Sequence, residues 1–116
     1  MNISQYKKLA KKSKLKNVKS NGYHSKRENR RANQLKFMEK QGLISDLQEQ
    51  VRFKLLETFK DSSGKTERGI SYIADFVYKE NGQLICEDSK GFKTIHYIMK
   101  RKLFKSKYPE YIFRES

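Results

Sequence analysis

Apolar and polar positions alternate through the middle of the chain and follow helical spacing on either side of it. From Ser71 to Gly91 the string SYIADFVYKENGQLICEDSKG reads as two strands around Asn81-Gly82. An Asn-Gly pair suits the left-handed positions of a two-residue hairpin turn and so fixes the register. Glu80 then faces Gln83, Tyr78 faces Ile85, and Asp75 faces Asp88. Alternation predicts that Ile73, Asp75 and Val77 share a face with Cys86, Asp88 and Lys90.

The flanking segments complete the pattern. Ala32, Leu35 and Met38 recur at helical spacing, and Gly42 is a stop signal, so a helix is expected from just after Ser25 to about Gln41. Alternation at Val51, Phe53 and Leu55 predicts a strand within residues 43–57, and residues 60–67, KDSSGKTE, form a loop of turn formers. Thr94 can cap a second helix over 95–107, with Ile95, Ile98, Met99 and Leu103 on one face and Pro109 beyond its end. YIFRE at 111–115 reads as a last strand. The expected architecture is one mixed α/β (α+β) domain over residues 25–116, in the order α-β-β-β-α-β.

Charge adds a partner class. The 116 residues hold 27 Lys and Arg against 13 Asp and Glu, a net charge of +14, which points to a polyanion such as nucleic acid. Residues 1–24 contain seven lysines and no acid, and are expected to form a flexible basic arm that grips DNA or merely solubilises the chain. No apolar run approaches the roughly 18–20 residues of a membrane span, and no apolar core of a secretory signal is present, so a cytoplasmic protein is expected. The single cysteine, Cys86, lies mid-strand among apolar residues and reads as a small buried hydrophobe. His24 and His96 have no zinc-ligand spacing around them.

Candidate chemistry concentrates on the hairpin. Asp75 and Asp88, directly opposed, place two carboxylates with Cβ atoms roughly 5 Å apart, which is destabilising unless a cation offsets it. Lys90 follows Asp88 on the same face and can orient a water or stabilise charge at phosphorus. Glu87 points the other way, beside Phe76. Ser25 to Glu28 matches a capping box, which alone explains Glu28; the alternative makes Glu28 a third acid over the site, since it shares a stripe with Ala32 and Leu35. Lys26, Arg27, Arg30 and Arg31 surround Glu28, and Lys93, Lys100, Arg101 and Lys102 follow Lys90, as solvated helix faces or as a phosphate-gripping surface. Tyr97 is a candidate for stacking on splayed bases.

A glutamate on the first helix, an aspartate on a strand and D-x-K on its hairpin partner resemble the PD-(D/E)XK nuclease superfamily. SKRE, ISDLQEQVRF, YIADFVY, EDSKGFKT and IMKRKLF look like a family of small phage and prophage proteins catalogued as a domain of unknown function. That family is similar to Holliday-junction resolvases of the phage endonuclease I type. The resemblance covers about residues 22–115 and implies a restriction-endonuclease-like αβββαβ core with a mixed central sheet. It also implies catalytic Glu28, Asp75, Asp88 and Lys90, with Glu28, Asp75 and Asp88 holding Mg²⁺, for which Mn²⁺ would substitute. It further implies a homodimer acting on four-way or branched DNA in a bacterial host. Asp88 stands where Glu is commoner, and Ala74 stands where the superfamily name has proline. A non-catalytic nucleic-acid-binding protein, or a nicking or restriction-like nuclease on ordinary duplex, are the alternatives.

Overall fold

A computed structural model describes residues 25–116, and the basic segment 1–24 lies outside the described residues. In chain order the elements are α1 (Lys26–Lys40), β1 (Ser45–Leu56), β2 (Phe59–Lys60), β3 (Thr66–Glu67), β4 (Ile70–Glu80), β5 (Gln83–Asp88), α2 (Ile95–Lys107) and β6 (Tyr111–Glu115). The principal sheet has the order β1-β4-β5-β6. It is mixed: β1, β4 and β5 pair antiparallel, whereas β6 runs parallel to β5. Parallel pairing needs a crossover connection, and α2 supplies it.

The local signals act as expected in the hairpin and at the end of α1. Asn81 and Gly82 both have positive φ, +53° and +76°, and Tyr78 pairs with Ile85. At the end of α1, Gly42 (φ +79°) lets its own N–H reach Glu39 O and the Leu43 N–H reach Met38 O. The predicted loop at 60–67 is instead flanked by a small ribbon, β2 pairing with β3. All four of its strand residues are exposed, so no apolar period marks it. Asp61 organises its tip, with Oδ1 accepting from Ser63 N at 2.9 Å and Lys65 N at 3.0 Å.

Two apolar clusters sandwich the sheet. Ala32 and Leu35 of α1 join Ile44, Phe76, Tyr78 and Ile85, and Tyr97 and Phe104 of α2 join Phe53, Leu55, Tyr72, Ala74, Val77 and Cys86. Adjacent residues such as Tyr78 and Val77 divide between the clusters, so the helices cover opposite faces. Cys86 is buried, as expected of a small hydrophobe. The α2 face differs from expectation. Ile95, Met99 and Leu103 are exposed, Ile98 is half-buried, and Tyr97 and Phe104 point inward. Two stripes at helical spacing coexist on α2, and the aromatic one wins because it buries more surface. Phe104 is the hub, with ring centroids 4.8 Å from Phe53 and 5.4 Å from Tyr72.

Strict alternation fails in the middle of β4, apart from register shifts near both ends of its pairing with β1. Ala74 and Phe76 should share a face, yet Ala74 belongs to the α2 cluster and Phe76 to the α1 cluster. Ile73 accordingly is exposed and does not line up with the buried Val77. The side therefore changes at Asp75. On β1, Glu49 pairs with Phe76 and Val51 with Ala74, which sets Gln50 opposite Asp75, and Gln50 has φ +55°. A bulky residue in that region is strained by about 1–3 kcal/mol and persists only where its surroundings enforce it.

Candidate functional site

The switch of face aims several polar side chains at one end of the sheet. Asp75 and Asp88 are interlocked: Asp88 Oδ1 accepts from Asp75 N at 3.1 Å, and Asp75 Oδ2 accepts from Ser89 N at 2.9 Å. Their expected opposition across the hairpin therefore holds, with side chains finishing the ladder where backbone pairing stops. Tyr72 donates its hydroxyl to Asp88 Oδ2. Asp88 is almost fully buried, and burial pushes its carboxyl well above the usual range; the Tyr72 hydrogen bond works against this and the Asp75 charge adds to it.

Glu28 reaches the same point from α1. Its backbone N–H caps the helix on Ser25 Oγ at 3.0 Å, while its carboxylate turns toward β1 and accepts from Gln50 Nε2 at 2.8 Å. The capping box is thus used on its serine side, and the acid is left for other work. Burial, and next the charge of Asp75, raise the Glu28 carboxyl to about 7, with Lys90 pulling the other way. Gln50 Nε2 also lies 3.5 Å from Asp75 Oδ1, so one amide bridges two acids. Lys90 influences both Glu28 and Asp88, and its Nζ sits 5.1 Å from the Tyr97 ring centroid. Tyr97, expected to stack on bases, is buried beneath that lysine and donates its hydroxyl to Glu115 at 2.6 Å.

Glu87 occupies the opposite face, as its register requires. It is fully buried and takes two hydrogen bonds from Arg31, at 2.5 and 3.0 Å, and one from Tyr78. Burial pushes its carboxyl up, but the donors from Arg31 and Tyr78 outweigh that and hold it below the usual value. Tyr78 in turn accepts from Arg114, which pairs with Glu80.

The expected basic surface is divided. Arg31 is committed to Glu87, and Lys93 and Arg101 both pair with Glu115, at 3.6 and 2.8 Å. Lys26, Arg27, Arg30 and Lys102 are exposed, and Lys100 is half-buried. Sequence reasoning missed Tyr72, Gln50 and Ser89. Tyr72 reads as core, which it also is. Gln50 could be found only from the β1–β4 register, and no tight turn fixes that register.

Glu28, Asp75 and Asp88 offer only carboxylate oxygens, the donor chemistry a hard cation such as Mg²⁺ takes. Among the described residues no three His, Cys, Asp or Glu side chains stand close enough to chelate an ion as they are placed. No described helix is long and apolar enough to cross a membrane. Residues 4–114 match the family described as "Protein of unknown function (DUF1064)", and the chain belongs to that family. No curated protein and no solved structure matches it.

Proposed function

We propose that the chain is a metal-dependent endonuclease of the PD-(D/E)XK type that hydrolyses phosphodiesters in branched DNA. One observation carries this: Glu28 of α1, Asp75 of β4 and Asp88 of β5 meet with Lys90 of the loop just beyond β5, where no arginine among the described residues pairs with the acids and they repel one another. A bound Mg²⁺ would offset that repulsion, lower the pKa of a water and draw charge from the phosphate. The carboxylates of Asp75, Asp88 and Glu28 would hold the ion. Lys90, half-exposed beside them, orients the attacking water by hydrogen bonding from Nζ. The water oxygen bonds to phosphorus as the bond to the 3′ oxygen breaks; the water's proton passes to solvent and the leaving oxygen takes one from solvent, giving a 3′-hydroxyl and a 5′-phosphate. Gln50 keeps Glu28 and Asp75 at a fixed separation. The free cations of the α1 start and of α2 neutralise flanking phosphates.

The resolvase resemblance supports a four-way junction as substrate. Such a junction needs two symmetric cuts, so a homodimer acting in a bacterial cytoplasm is part of the proposal. The test is cleavage of a junction with Mg²⁺ beside a linear duplex of the same sequence and beside Asp75→Asn. Cutting by wild type and none by the variant supports the proposal; equal cutting of junction and duplex moves the substrate to ordinary DNA. Because no acidic trio among the described residues is preassembled for chelation, a non-catalytic DNA-binding protein is the second reading. It is favoured if DNA binds and neither Mg²⁺ nor Mn²⁺ yields cleavage.

A further inference from the structure

A pocket of about 230 Å³ opens between the start of α1 and the strand end that carries Asp88, lined by Arg27, Arg30, Arg31, Gln34, Ser89 and Ser116. Its floor holds an unexplained group. Ser89 is only 8% exposed, and its Oγ is buried with no hydrogen-bond partner among the described residues. An orphaned buried hydroxyl costs about 1–3 kcal/mol, so one that persists is met by a group from outside the chain, water or ligand. The walls are cationic beyond what the protein uses. Arg31 is taken by Glu87 and Gln34, and Arg27 gives one N–H to the main-chain oxygen of Ser116 at 3.2 Å. Arg30 forms no ion pair with a described residue and faces the pocket from an exposed turn of α1. Gly91 brings backbone against the Arg27 guanidinium, where an added Cβ would stand 3.7 Å from Nε.

We propose that Arg27, Arg30 and the Ser89 hydroxyl form a subsite for a phosphate group. Guanidinium groups and a hydroxyl are donors matched to a tetrahedral oxyanion, and the start of α1 adds a favourable field. The anion-binding property stands by itself. Its role rests on the proposed nuclease: Ser89 N holds the Asp75 carboxylate at 2.9 Å, so the pocket lies one backbone unit from the acids. A phosphate seated there belongs to a nucleotide beside the one being cut, and the subsite sets where the scissile bond falls.

The test is an NMR titration of the full chain with inorganic phosphate, without Mg²⁺, followed by a short oligonucleotide with and without a 5′-phosphate. Saturating shifts at the Ser89 and Gly91 amides and at the Arg27 and Arg30 Nε–H groups are expected. Affinity should fall at least about fivefold in Arg30→Gln and in Ser89→Ala. Arg30 is exposed, so its variant tests the idea even if Ser89→Ala is poorly folded. Tighter binding of the 5′-phosphorylated oligonucleotide identifies a terminal phosphate as the occupant, and equal binding identifies an internal one. Shifts that never saturate, or that persist at equal strength in Arg30→Gln, overturn the subsite. Phosphate binding with these dependences in a protein that cuts no DNA would leave the subsite standing and remove the nuclease.

Discussion

On one side of β5 the Glu87 carboxylate meets Arg31 and Tyr78; one residue along, on the other side, the Asp88 carboxylate accepts from the Tyr72 hydroxyl and the Asp75 N–H and feels the Asp75 charge. Both are buried to within a percent. Arg31 and Tyr78 hold Glu87 ionised, while burial and Asp75 push Asp88 toward its neutral form. The same strand thus buries one acid to fasten a helix and another beside a second acid, where two hydrogen-bond donors hold it but no cationic side chain pairs with it among the described residues. A buried charge is informative when its partner is missing, and burial alone does not distinguish the two cases.

The sharpest way to break this contrast is to neutralise each acid in turn. Asp88→Asn should lower cleavage by about 10²–10³-fold or more, while the metal-free protein melts at the same temperature or higher. Glu87→Gln should cost about 2–3 kcal/mol, below the full penalty for a buried pair because Arg31 stays one-fifth exposed, and cleavage per folded molecule should be largely kept. Denaturant melts and single-turnover cleavage measure both; equal losses of activity would erase the distinction. Glu28→Gln comes next. It keeps the Ser25 cap, so stability should change by less than about 1 kcal/mol, and activity should drop steeply. Gln50→Gly is a smaller change. It suits the left-handed backbone and removes the bridging amide, so the fold should hold or gain by about 1 kcal/mol while cleavage falls several-fold.

The weakest effect is on pH dependence. Glu28 has an ordinary value of 4.5 and a folded value of about 7, so between these the folded chain binds a proton that the unfolded chain has lost. Stability from this group therefore falls as pH rises through that window. Glu87, held low, contributes above its ordinary 4.5 and loses that contribution as pH falls. Thermal melts should peak near about pH 5, and Mg²⁺ should raise the melting temperature by a few degrees at about pH 8 but not at about pH 5. Identical Mg²⁺ effects at both would show that no acid of this site binds the ion.

Strong local rules explain what was readable beforehand. Asn81-Gly82 pins the hairpin, and with it the meeting of Asp75 with Asp88; Ser25 and Gly42 bracket α1, and Thr94 with Pro109 brackets α2. Long-range competition explains the rest. Which stripe of α2 faces inward depends on the Phe53 and Tyr72 rings waiting on the sheet, and nothing within α2 reveals them. The left-handed Gln50 is legible only once β1 is laid against β4. Glu28 is the intermediate case: its capping motif was visible, but the motif concealed that backbone and side chain serve different ends.

The attachment of α1 has a consequence for motion. That helix is fixed to the sheet by Ala32 and Leu35 and by side-chain bonds from Arg31 to Glu87, Gln50 to Glu28 and Leu47 N to Glu39, with no backbone ladder, whereas β4 and β5 are hydrogen-bonded on both sides and covered on both faces. Sub-global opening takes the least fastened element first. Amides of α1 should therefore exchange with deuterium before those of β4 and β5, and each opening carries Glu28, Arg27 and Arg30 away together. The acid and the cations that would hold DNA share one hinge, so nucleic acid bound across α1 and the sheet would slow that exchange and assemble the site in the same event.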